Sequence, residues 1–218
     1  MKYAIIPDIH GNISTLNTMV EDAKAKGAEG YIFVGDFDLS NRCMDEYISR
    51  IRKLPNAYIV WGNQARYWDK QSYPNISEEN LNYLLSLPNR IDMAVNAVPL
   101  YIAHSFGDFM AGYEFKEWQE EVRTLANGIY IFEDAFMPDN YESEDGRKIL
   151  INSSSLGARK LSGDDIAQYI ILNVSPREVV QIEKVKVIVK QESRGKILLE
   201  RFFKMRSINK NWKECVTF

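Results

Sequence analysis

The chain opens with three apolar runs, Tyr3 to Ile6, Tyr31 to Val34 and Tyr58 to Trp61, each running directly into polar residues. Helix-like segments lie between them, and this alternation restricts the chain to a layered fold in which helices cover a largely parallel sheet. Pro7 and Asp8 follow the first run, Gly35 and Asp36 the second, and Gly62 and Asn63 the third. Between the runs, Leu16, Met19, Val20 and Ala23 share one helical face within Ser14 to Lys26, closed by Gly27. Met44, Tyr47, Ile48 and Ile51 do the same ahead of Pro55. In such a fold, ligands gather at the carboxyl ends of the strands, where the polar residues stand.

Further along, residues 64 to 76 read as an irregular loop rich in aromatic residues, followed by a helix near Ser77 to Leu87. Strands are predicted at Ile91 to Val95, Leu100 to Ala103, Ile129 to Phe132 and Lys148 to Ile151, with a helix at Glu114 to Leu125 and an acidic loop at Asp139 to Gly146. Tyr169 to Val174 and Val179 to Val189 alternate β-branched residues and suggest an antiparallel pair closing a second sheet. The tail from Ser193 carries Ile197, Leu198, Phe202, Phe203 and Met205, which suit a final helix packed on the body or a self-association surface.

A mass of 25.2 kDa and 45% hydrophobic residues allow one substantial core, so one domain over residues 1 to 218 is expected, with 193 to 218 a C-terminal extension. A net charge of −3 gives no bulk field for a nucleic-acid backbone, and nucleic acid is disfavoured as a partner unless a local patch exists. Two cysteines, Cys43 and Cys215, do not make a disulfide scaffold or a cysteine zinc site. The N-terminal apolar run is short and meets an acid at once, unlike a secretory signal, and no stretch is long enough to span a bilayer. A soluble cytoplasmic protein is the expectation.

The only two histidines, His10 and His104, each end an apolar run in a cluster of metal-ligand types. If strand geometry persists through Asp8-Ile9-His10, the first and third side chains share a face and offer an oxygen and a nitrogen to one cation. Asp36 could add a bridging carboxylate, Asn63 an amide oxygen and His104 an imidazole, a set suited to manganese, iron or zinc. An aspartate at a strand end also serves simply to hold a turn, and Asn12 or Ser14 to cap the next helix. Tyr67, Trp68, Tyr73, Tyr113 and Trp118 offer stacking surfaces for a nucleobase, although packing explains most of them.

The ordered series Asp8-x-His10, Gly35-Asp36, Gly62-Asn63 and His104 resembles the calcineurin-like metallophosphoesterases over roughly residues 1 to 175. Asn152 to Gly157 also resembles the stretch that follows the family's last metal motif. The resemblance implies a four-layer α/β/β/α sandwich of two mixed sheets flanked by helices, with one or two divalent ions bridged by Asp36. It further implies metal-activated water hydrolysing a phosphate mono- or diester, with a small phosphorylated compound as substrate. Departures from the family pattern bear on each of these. Gln64 stands where the family has a histidine, and an amide donates a hydrogen bond but delivers no proton. Leu39 stands where that histidine's aspartate partner belongs, with Asp38 one position early. In place of the final Gly-His-x-His, Glu133 falls at the first histidine and Ala135 at the second, with Asp134 an equally good substitute ligand. The metal set implied is therefore Asp8, His10, Asp36, Asn63, His104 and Glu133, with Gln64, Arg42 and Arg66 facing the phosphate; ordinary solvent-exposed arginine is the plain reading of the last two. A phosphoesterase of reduced activity, a non-catalytic binding or scaffold protein, and a metal-dependent nuclease are the three functional classes left. A homo-oligomer joined through the C-terminal segment is compatible with each.

Overall fold

A computed structural model describes residues 1–35, 37, 42–62, 75–109, 118–134, 137–153, 159–161, 164–175, 180–189 and 201–208. Two mixed β-sheets lie face to face, and four α-helices among the described residues flank them. The first sheet runs in the order β12 (Arg201–Ile208), β11 (Val180–Val189), β10 (Asp164–Val174), β1 (Lys2–Ile6), β2 (Gly30–Phe33) and β3 (Ala57–Ile59), with β9 (Arg159–Leu161) paired to β10. The second is ordered β4 (Arg90–Val95), β5 (Val98–Ala103), β6 (Gly128–Phe132), β8 (Lys148–Asn152) and β7 (Asn140–Glu142). The helices are α1 (Ile13–Ala25), α2 (Met44–Ile51), α3 (Glu78–Leu85) and α4 (Trp118–Thr124).

Strand alternation generates the layers. In β1, Ala4 and Ile6 point into a cluster with Leu16, Met19, Ile48 and Leu84 of the helices, while Tyr3 and Ile5 point into the space between the sheets. In β6, Ile129 and Ile131 meet them there, whereas Tyr130 and Phe132 face outward to pack with Val122 of α4. Three apolar cores thus separate four layers, and burying each large aliphatic side chain contributes roughly 1.5–3 kcal/mol. These strands are apolar on both faces, which is why they appear in the sequence as unbroken runs rather than alternating ones. At the outer interface of the first sheet, the Tyr169 hydroxyl of β10 donates to buried Asp22 of α1 at 2.6 Å.

Local chemistry sets the helix starts. Asn12 caps α1 by accepting from the Thr15 amide at 3.0 Å, and Ser77 caps α3 by accepting from Asn80 at 3.3 Å. Asp45 in the first turn of α2 accepts from the Ser77 amide and hydroxyl and from Asn80, tying α2 to α3. Partial burial works against its charge, but these donors outweigh it and hold the Asp45 carboxyl below the usual carboxylate range.

Three expectations are corrected. The β10 and β11 pair belongs to the first sheet, because β10 takes up the free edge of β1 in antiparallel register. The tail expected to be helical forms β12, paired antiparallel to β11 from Val180 opposite Ile208 to Val187 opposite Arg201. Within the acidic stretch expected as a loop, Asn140–Glu142 forms β7 on the edge of β8. No helix among the described residues is long and apolar enough to cross a membrane.

Candidate functional site

β1, β2 and β3 are mutually parallel, as are β5, β6 and β8, so each sheet brings three carboxyl ends to one edge. Hydrogen bonds between described residues join those edges. His104, just past β5, places Nδ1 2.8 Å from the carbonyl oxygen of Val34 beyond β2. A carbonyl only accepts, so Nδ1 carries the proton, and in the neutral ring Nε2 keeps its lone pair. This is the arrangement that orients an imidazole for a metal. Glu133, just past β6, accepts the backbone N–H of Asp8 at Oε2 over 3.3 Å, while its own N–H donates to the His104 carbonyl at 2.7 Å.

The Asp8 to Asn12 segment does not continue the strand. His10 has φ of 49° and Gly11 has φ of 71°, and Asp8 Oδ1 accepts the His10 N–H at 2.8 Å, which closes a tight turn. The expectation that Asp8 and His10 share a strand face is therefore corrected: β1 ends at Ile6. The two side chains still meet, with His10 Nδ1 3.2 Å from Asp8 Oδ2, but the His10 side chain is 76% exposed and that of Asp8 only 11%. Beneath them lies Tyr47 of α2, buried, whose phenol is pushed well above its usual range by burial and then by the negative charges of Asp8 and Glu133.

Glycine makes the first sheet's half of the edge possible. Gly35 has φ of +93°, and a Cβ there would stand 2.5 Å from the Trp61 carbonyl and the Gly62 nitrogen. The second sheet's half is held by Asn152 at the end of β8, fully buried. Its Oδ1 accepts from the Asp134 amide at 3.0 Å, and its Nδ2 donates to the carbonyls of Asp134 at 2.6 Å and Met137 at 3.0 Å. Neither Tyr47 nor Asn152 stood out in the sequence as a site residue. An asparagine closing an apolar run, directly before Ser153, was the available signal for the latter.

Of the expected site residues, Glu133 is linked to Asp8 through the Asp8 amide and to His104 through backbone, His10 is exposed beside Asp8, and Arg42 is exposed in the turn before α2. Asp36, Asn63, Gln64 and Arg66 lie outside the described residues, as do Asp38, Leu39, Ala135, Tyr67, Trp68, Tyr73 and Tyr113. Trp118 packs edge-on against Tyr141 at 5.0 Å, in keeping with a packing role. Among the described residues, no three of histidine, cysteine, aspartate and glutamate are grouped to hold a metal ion. His104 fits such a role, while His10 is turned outward with Nδ1 facing Asp8. A cavity of about 430 Å³ lined by Arg123, Tyr141, Asp145 and Lys148 lies at the opposite end of β8 from Asn152 and is separate from this edge.

Comparison with known proteins agrees with this geometry. The profile of the calcineurin-like phosphoesterases matches residues 1–189. The uncharacterized protein MJ0912 of Methanocaldococcus jannaschii is 25% identical over 215 residues, covering 83% of this chain and 86% of that protein. A metallophosphoesterase from Sphaerobacter thermophilus superposes with a TM-score of 0.57 at 18% identity, covering 78% of this chain and 82% of that one. Vps29 from Chaetomium thermophilum gives 0.53 at 11% identity over 96% and 97%. At these identities, the two solved structures speak for the fold.

Proposed function

The chain belongs to the calcineurin-like phosphoesterase family as a divergent member, and from that premise we propose that it is a binding protein on the phosphoesterase fold rather than a hydrolase. One observation carries this reading: where the family pattern puts its last imidazoles, β6 ends in the carboxylates Glu133 and Asp134. Glu133 turns back onto the Asp8 amide, and the backbone of Asp134 is clasped by Asn152. The Glu133 carboxylate beside Asp8 repels a phosphoryl group and its attacking hydroxide alike, and Gln64 supplies no proton to a leaving group. His104, with Asp36, Asn63 and Glu133, would hold at most one manganese, iron or zinc ion. A second ion, which two-metal hydrolysis needs to lower the pKa of bridging water, would keep only Asp8, His10 and Asp36 and lack a fourth protein ligand. Vps29 of C. thermophilum, of the same fold, has been solved in complex with a cyclic peptide, which supports a peptide-binding surface on this fold.

Metal analysis of protein purified without chelator, followed by assay on bis-p-nitrophenyl phosphate in excess manganese, tests the proposal. It expects one equivalent or less and no turnover. Two equivalents with turnover abolished by Asp36→Asn would establish the second reading, slow hydrolysis of a small phosphate ester, which the retained Asp8, His10, Asp36, Asn63 and His104 favour. Cytoplasmic residence and a single domain over residues 1 to 218 accompany either reading.

A further inference from the structure

The whole-chain charge of −3 conceals a division. Residues 184 to 218 hold ten of the 27 lysines and arginines but only three of the 30 acids, a net charge of about +7 against −10 for residues 1 to 183. This basic portion begins halfway along β11 and includes β12, whereas the family match ends at residue 189. β12 is thus an added strand at the end of the first sheet. Its register sets Lys204 opposite Lys184, Phe202 opposite Lys186, Arg206 opposite Ile182 and Arg201 opposite Val187. Val185 and Val187 are fully buried, while Lys184 is half-buried and Lys186 exposed.

Like charges placed directly opposite each other in a sheet are destabilising unless an anion lies over them. Asp139 provides one such charge, 3.0 Å from Lys184 Nζ. Guarding an edge strand against aggregation needs only scattered lysines, fewer than this segment carries. Two copies joined edge to edge through β12 would bring cations against cations, so the charge pattern opposes that partner. Cations two residues apart on a strand are spaced about 7 Å, a repeat that follows an extended phosphodiester chain. Phe202, opposite Lys186 in register, stands among these basic positions, the combination used to stack unpaired bases.

We propose that the β11 and β12 strand pair is a binding surface for single-stranded nucleic acid, recognised through its phosphates by Lys184, Lys186, Lys204 and Arg206, whose register positions share one face of the sheet. The surface is independent of the strand-end site. Fluorescence anisotropy of fluorescein-labelled single-stranded RNA and DNA oligonucleotides, titrated with the full chain in EDTA across a salt series, tests it. Each phosphate contact adds a slope of roughly −0.7 in log K against log salt, so four contacts give about −2.8. The double variant Lys204→Glu and Arg206→Glu should weaken binding at least tenfold and reduce the slope by about 1.4. Lys186→Glu, at an exposed position where folding is not at stake, should reduce the slope by about 0.7, and Lys53→Glu on the far side of the charge division should change nothing. The proposal is overturned by absence of salt-dependent binding, or by equal loss in Lys53→Glu. It is equally overturned if phosphatidylserine vesicles capture the protein, or it dimerises, while neither oligonucleotide binds.

Discussion

The two sheets build their halves of the strand-end edge by different means. On the first sheet, the edge is shaped by backbone: a positive-φ turn at His10 and Gly11, and Gly35 pressed against the Trp61 to Gly62 peptide. On the second, it is shaped by side chains: Asn152 clasps the backbone of Asp134 and Met137, and His104 is anchored to Val34. The consequence falls on the two histidines. His104 is 5% exposed and already oriented, whereas the side chain of His10 is 76% exposed and pays rotamer entropy for any ligand it takes.

Substitutions rank along this contrast. Gly35→Ala should be the most damaging, since a methyl group meets backbone that cannot move aside and φ is unfavourable as well; a loss of about 3 kcal/mol or more in urea unfolding is expected. A loss below about 1 kcal/mol would show that the first sheet's backbone yields to a methyl group. Asn152→Ala removes one acceptor and two donor contacts at a fully buried position, and should cost about 2–4 kcal/mol in the same assay. His104→Ala leaves the Val34 carbonyl without its donor and should cost about 2 kcal/mol and abolish cobalt binding followed by visible absorption. His10→Ala should stay within about 0.5 kcal/mol of the parent and leave most of any cobalt signal. If instead His10→Ala removes the signal and His104→Ala spares it, the roles of the two histidines are reversed.

What could be read in the sequence was what buried strands and helix caps encode locally. The strands at Tyr3, Tyr31 and Ile129 were visible because both of their faces are covered, and Asn12 was visible as a cap because its acceptor lies three residues from its donor. Sheet membership was not, since β10 is assigned to the first sheet by pairing with β1, at the far end of the chain. The same holds for β12: Phe202, Phe203 and Met205 look as well suited to a helix as to a strand until β11 is there to pair with. At the site, His104 was legible from its position after an apolar run. The turn at His10 was not, because the Asp8 side chain competes with the sheet for the backbone, and periodicity does not register that competition. The basic tail is hidden in the net charge because it cancels against the acidic body in the total.

The pairing of β1 with β10 also dictates when this protein can become itself. Lys2 is matched to Asn173 and Ile5 to Ile170, so during synthesis the opening strand has no neighbour on that side until most of the polypeptide has left the ribosome. Contacts so distant in sequence close slowly, and an apolar strand left waiting is exposed to pairing with other chains. The nascent protein is therefore a natural client for chaperones, and fragments ending before β10 should precipitate rather than fold.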